Sequence, residues 1–277
     1  MSAPPEPSWP DLVARWSVEP AVVSWLVAAG VVWQLGRQRL GGSGGDPSRP
    51  GLFLGGLAVT GAALISPLAT YAEALLSVHM AQHLLLVLGA APLLIASRPG
   101  PALVAGLPAW AGGAVRAVAR WSAVRVLASP LVAWVVFAAT GWAVHFTGLF
   151  DLALRNPLVH AAEHVLFLAS GLLFWLPVLG PQPLSYPLRL LYLALAMPQN
   201  TFLALAIYSA GQPLYEAYGE LGRTWGPTVL DDQRHGGGFM WVAGDLTLVV
   251  AVLAATARWA RADAALELEE DDEDVTA

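Results

Sequence analysis

His79-Met80-Ala81-Gln82-His83 heads an apolar run, residues 84–96, and its reading decides how the rest of the chain is organised. On a helix, side chains four apart lie nearly one above the other. Both imidazoles then face the same way and can share one ion about 2 Å from each nitrogen. The spacing returns in His160-Ala161-Ala162-Glu163-His164, again ahead of an apolar run, 165–178. Four of the six histidines thus fall into two matching pairs, each at the start of a stretch apolar enough to be a membrane helix.

Composition agrees. Of the 277 residues, 56% are hydrophobic and only 12% charged, the mean hydropathy is +0.58, and several near-uncharged runs approach the roughly 20 residues that cross a bilayer. This is the profile of an integral membrane protein, with the lipid bilayer as its first partner and no nucleic-acid-binding signal. The absence of cysteine excludes disulfides and thiolate metal sites and leaves His, Met, Asp and Glu as candidate ligands. Lysine is absent too, so all fourteen basic residues are Arg. The net charge of −6 comes largely from an acidic run at 267–274, read as the solvated, disordered part of a tail over 258–277.

The pattern predicts an all-α membrane protein, a single bundle of seven transmembrane helices over 1–257, with spans at about 18–36, 51–69, 79–96, 131–150, 158–178, 186–209 and 237–257. The N-terminal residues lack the basic region and cleavage site of a signal peptide, so the first span is expected to stay in place. A Gly41-Gly42-Ser43-Gly44-Gly45 linker follows it. Residues 97–130 are too many for a turn and too polar to cross. There Arg116, Arg120 and Arg125 interrupt Val115, Val118, Trp121, Val124 and Leu127, as suits a helix lying in the headgroup region. Basic loops stay cytoplasmic. With the N-terminus outside, ten Arg fall on the inner side (37, 39, 49, 98, 116, 120, 125, 189, 258 and 261) and four outside (15, 155, 223 and 234). The bias predicts N-terminus out and C-terminus cytoplasmic.

In that topology every histidine lies on the outer side: His79 and His83 open span three, His160 and His164 open span five, His145 ends span four, and His235 stands in the loop before span seven. Ionisable groups at membrane depth are costly and default to function. Glu163 and Asp245 fall within predicted spans, where a carboxylate is expected to bond a His or line a wet cavity. Met80 lies on a different face from His79 and reads as packing. Two chemistries compete with simple ion binding. His160 to His164 spells H-x-x-E-H, in which two His hold zinc and the Glu activates water, but the sister pair carries Gln82 where that logic needs a carboxylate. A b-type cytochrome would use one imidazole from each of two helices across a haem, whereas paired His at one depth suit a small ion better.

These residues also carry a family resemblance. The chain resembles the CtaG-type cytochrome c oxidase assembly factors, multi-span bacterial membrane proteins, over about 58–257. The resemblance rests on His79-Met80-Ala81-Gln82-His83-Leu84-Leu85 with Pro92 downstream, on His160-Ala161-Ala162-Glu163-His164 followed by Gly171-Leu172-Leu173-Phe174-Trp175-Leu176-Pro177-Val178, and on Asp232-Gln233 before Gly236-Gly237 and Met240-Trp241. The first span and the acidic tail add nothing to it. The resemblance implies a plasma-membrane protein of bacteria that helps mature a haem-copper oxidase, with an oxidase subunit as partner and copper as cargo. Imidazole suits copper, zinc, iron and nickel, and a Cys-free site facing an oxidising compartment holds Cu(I) or Cu(II) without thiol oxidation. The expected metal set is therefore His79, His83, His160 and His164, with His145 as a fifth ligand and Glu163, Asp232 and Gln233 orienting ligands or passing the ion on. No turnover is required, so a non-enzyme is expected, with zinc and haem left open. A copper transporter is the near alternative, for which only Met197, Gln199 and Asn200 continue polar or soft groups toward mid-membrane.

Overall fold

A computed structural model describes residues 4–41 and 48–276, so most of the Gly-rich linker lies outside the described residues. The described chain is helical, without strands: α1 (Trp9–Ala14), α2 (Pro20–Arg39), α3 (Pro50–Ile65), α4 (Pro67–Ala72), α5 (Leu76–Ala96), α6 (Gly100–Gly106), α7 (Ala109–Ala119), α8 (Ser122–Leu127), α9 (Pro130–Phe146), α10 (Leu149–Arg155), α11 (Pro157–Leu179), α12 (Tyr186–Tyr208), α13 (Glu216–Glu220) and α14 (Val229–Thr276). Among the described residues four helices are long and apolar enough to cross a membrane: α5, α11, α12 and the 229–265 part of α14. A fifth is counted if α9 and α10, bent by 67° at their junction, form one span. Apolar α3 is shorter. It stops at Ser66, which is extended because the following Pro67 disfavours helical backbone there.

Helix α5 sits in the middle of the bundle, touched by α3, α4, α11 and α14. Its first turn has no local side-chain cap. The orphan donors are taken by a distant carboxylate instead: Leu76 N donates to Asp232 Oδ2 (2.6 Å), while Ser77 N and Oγ donate to Oδ1 (3.4 and 2.5 Å). That is why the helix begins at Leu76 rather than at His79, where the apolar run alone places it. Further along, Leu85–Ala90 forms a π-helical turn in which Ala91 N reaches back five residues to Leu86 O. Pro92, which has no N–H and whose ring crowds the carbonyl four residues back, makes the wider turn favourable. The turn frees the Val87 carbonyl, which accepts the indole N–H of Trp175 from α11 at 2.9 Å. Pro92 and Trp175, far apart in sequence, thus act at one joint between α5 and α11.

Helix α14 starts eight residues earlier than the predicted span, at Val229. Thr228 Oγ1 accepts from Asp231 N (3.2 Å) and donates to its carboxylate (2.7 Å), a capping arrangement whose Thr-x-x-Asp spacing was readable. His235 therefore stands on an exposed helical turn, not in a loop. The helix continues to Thr276, through the acidic end expected as a disordered tail. The segment 97–130 holds three helices, α6 to α8, and the stretch 115–127 read as suiting one helix is divided between α7 and α8. They leave Trp110, Val115, Val118, Trp121, Val126 and Leu127 exposed. Helix α6 crosses α2 so closely that a Cβ on Gly36 or Gly106 would collide with the backbone carbonyl of Ala102 or Val32.

Candidate metal centre

The two histidine pairs meet. On α11, Asn156 accepts from Leu158 N and Val159 N and Pro157 takes the first turn, a capped start that puts His160 and His164 one and two turns into the helix. On α5 the Asp232 cap does the same for His79 and His83. Ring centroids lie 4.4 Å apart within each pair, 5.1 Å between His79 and His160, 6.2 Å between His79 and His164, and 5.9 Å between His83 and His164. Glu163 points into the same space, with Oε2 3.7 Å from His79 Nε2 and Oε1 3.9 Å from His83 Nε2. Ligand atoms of His79, His160 and His164, and separately those of His79, His83 and Glu163, lie within 4.8 Å of one another.

A hydrogen-bond chain sets the chemistry of His79. Tyr218 O–H donates to the Ala72 carbonyl at 3.0 Å, so its oxygen is left to accept from His79 Nδ1 at 3.1 Å. His79 then carries its proton on Nδ1 and presents a lone pair at Nε2. That lone pair faces a carboxylate oxygen at 3.7 Å with no hydrogen-bond partner. Also buried without a partner are both ring nitrogens of His83, Nε2 of His160 and His164, and both oxygens of Glu163. So many converging polar atoms left unpaired, most of them acceptors, are costly unless something positive lies between them. The 3.7 and 3.9 Å gaps exceed a hydrogen bond, yet suit donors held about 2 Å from one ion, which stand roughly 3–4 Å apart. The donor set of nitrogens and one carboxylate fits a borderline metal.

A lid covers one side of the centre, where His79 and His83 are buried, while His160 and His164 are half-buried. Thr147 is extended, and the chain turns there so that α10 lays Phe150, fully buried, against His79 (4.9 Å), His145 (5.7 Å) and His83 (6.3 Å). Helix α13 is tied to α10 by Ala217 N donating to Asp151 Oδ1 (3.0 Å) and by Arg155 gripping Glu220 through two bonds (2.5 and 2.9 Å). Those bonds hold the Glu220 carboxyl below its ordinary pKa. Phe167 stacks on His83 at 4.0 Å and completes the wall.

Not every expected site residue is brought here. Asp232 acts only by capping α5, and Gln233 bonds Leu214 N, Ile207 O and Gln212 O. Asp245 bonds no His; it accepts from Asn200 (2.9 Å) and Thr201 (2.6 Å). Gln82 turns away to donate to Ala63 O at 2.9 Å. His145 stands beside the cluster, its Nδ1 on Gly141 O at 2.7 Å and its Nε2 3.3 Å from Met80 Sδ. Sequence reasoning missed Tyr218, since the pattern of 210–236 gives no sign that Tyr215 and Tyr218 fold back over α5. Tyr218→Phe is expected to leave the fold intact and weaken metal binding roughly 10- to 100-fold, the usual effect of removing a group that orients a ligand, as read by metal titration.

Fold and centre together define a multi-pass helical membrane protein with a partly buried histidine and carboxylate cluster at one end of its bundle. The chain belongs to the cytochrome c oxidase caa3 assembly factor family (Caa3_CtaG), whose sequence profile matches residues 25–262. The match begins inside α2, so the first span does contribute to the likeness, contrary to the reading from motifs alone. The chain is similar to uncharacterized proteins of Mycobacterium bovis, 29% identical over 213 residues covering 73% of this chain and 32% of that one, and of Mycobacterium leprae, 28% identical over 214 residues with the same coverage. It thus spans about a third of the length of these relatives. No solved structure matches.

Proposed function

We propose that this protein binds copper through His79, His83, His160 and His164 and hands it to the copper centre of a haem-copper oxidase, without catalytic turnover. The observation that carries this reading is the His79 Nε2 lone pair facing the Glu163 carboxylate across 3.7 Å, surrounded by further buried, unpartnered imidazole nitrogens. The family supplies the context of oxidase assembly. Phe150 covers the His79 and His83 side of the site, while His160 and His164 are only half-buried, which leaves a side for the ion exchange that a delivery protein requires. The test is metal analysis of the purified protein beside a variant with the four histidines changed to alanine. Copper is expected at one or two equivalents in the parent and at none in the variant, and an equal content in both would end the proposal.

Seven spans with the histidines on the outer side complete it, α2, α3 and the bent pair α9 and α10 being counted with the four long helices. The ten-to-four Arg bias supports that orientation. A reporter fused after Ala277 is expected in the cytoplasm and one inserted at Gly219 outside; an external C-terminus would turn the metal centre to the inner face. A second reading, zinc-dependent hydrolysis, is favoured by one observation: Glu163 of the H-x-x-E-H stretch does face the ligand space.

A further inference from the structure

Beside the four-histidine cluster, two metal-ligating atoms of different softness stand face to face. His145 Nδ1 lies 2.7 Å from the Gly141 carbonyl, a separation that places a proton on Nδ1, so in the neutral ring Nε2 carries the lone pair. That lone pair is aimed at the thioether of Met80, 3.3 Å away, and both side chains are buried, at 4% and 1% exposure. Two acceptors without a hydrogen between them gain nothing from this approach; around one soft cation both become ligands. His83, one helical turn after Met80 on α5, comes next, its ring 6.4 Å from that of His145 and 5.9 Å from that of His164. Met80, His83 and His145 share a cavity that extends to Gln199 and Asn200 on α12 and Met240 on α14. Met80 packs in the core, as its face on α5 suggested, and its thioether also meets the His145 ring nitrogen.

We propose that Met80 Sδ and His145 Nε2, with His83 between them and the four-histidine cluster, form a second station specific for monovalent copper. The inference rests on the copper reading above and refines it. The cluster, all nitrogen and carboxylate, accepts Cu(I), Cu(II) or Zn(II), whereas a neutral, soft thioether favours Cu(I) over the harder Zn(II). His83 has both ring nitrogens unpartnered and reaches both sets, so it is placed to pass an ion from one to the other. The ion moves as Cu(I) throughout, and no electron transfer is needed.

The test uses full-length protein purified in detergent, titrated separately with Cu(I) under reductant and with Zn(II), and examined by X-ray absorption at the copper edge. Expected are a sulfur scatterer in the parent, its loss in Met80→Leu, a fall in Cu(I) affinity of roughly 10- to 100-fold in Met80→Leu and His145→Gln, and zinc binding unchanged in both. Retained zinc binding also shows that the near-isosteric Met80→Leu has folded. A copper shell of nitrogen and oxygen alone, or unaltered Cu(I) affinity in Met80→Leu, would overturn the station while leaving the cluster standing. Loss of zinc and copper together in both variants would mark a packing role and overturn it as well. A parent that binds no Cu(I) removes this inference and the copper reading together.

Discussion

His79→Ala is expected to abolish metal binding at the four-histidine centre, the largest effect of any single histidine there. His79 belongs to both groups of ligand atoms that come within reach of one ion, the set with His160 and His164 and the set with His83 and Glu163. It is also the ring whose lone pair Tyr218 fixes. Its removal breaks either arrangement, whereas His83→Ala or His164→Ala leaves three candidate donors in one set. Those two are expected to weaken copper by more than the roughly 10- to 100-fold cost of an orienting group. The double variant should fall short of the product of the two, because ligands acting on one ion are not additive. Copper stoichiometry and affinity in detergent, with oxidase activity in cells carrying each variant, decide it. Two coppers in the parent, with each single variant keeping one at parental affinity, would show separate stations in place of a shared site.

How much of this was legible follows the range of each interaction. Membrane class, the helical register of both His pairs and the Asn156-Pro157 start of α11 depend on residues within a turn or two, and the pattern of the chain displays them. Parallel spans with matching starts allow the pairs to meet without deciding between one site and two, and the structure brings their ring centroids to 5.1, 5.9 and 6.2 Å from one another. The cap of α5 comes from Asp232, 156 positions away, and nothing near Leu76 announces it. The tautomer of His79 depends on Tyr218, 139 positions away, from a short helix in what reads as a loop. Met80 was set aside because it lies off the His79 face, but its partner His145 comes from α9, which no periodicity in α5 reveals. The π turn has a local cause in Pro92, yet its consequence, a carbonyl offered to Trp175, exists only once α11 is packed against it. The bend after Phe146 was hidden for another reason: the apolar run continues through Phe150, and hydropathy cannot distinguish a lid from the last turn of a span.

Glu163→Gln separates the two chemistries that the centre can support. Both carboxylate oxygens face imidazoles, at 3.7 Å from His79 Nε2 and 3.9 Å from His83 Nε2, and neither has a hydrogen-bond partner. In a copper-delivery site the carboxylate supplies negative charge beside the ion. Glutamine keeps the shape but gives up the charge and turns an N–H₂ toward one of the imidazole lone pairs, where it repels a cation. Metal affinity is then expected to fall roughly 10- to 100-fold, with oxidase maturation falling in parallel and recovering as copper in the medium is raised. In a zinc hydrolase the same residue takes the proton of a metal-bound water, and the substitution abolishes turnover while the ion stays bound through the imidazoles. Metal titration and oxidase content measured on the same variant are sufficient. Weakened affinity with rescue by added copper supports delivery, while undiminished metal binding with complete, unrescued loss of function would reject it in favour of hydrolysis.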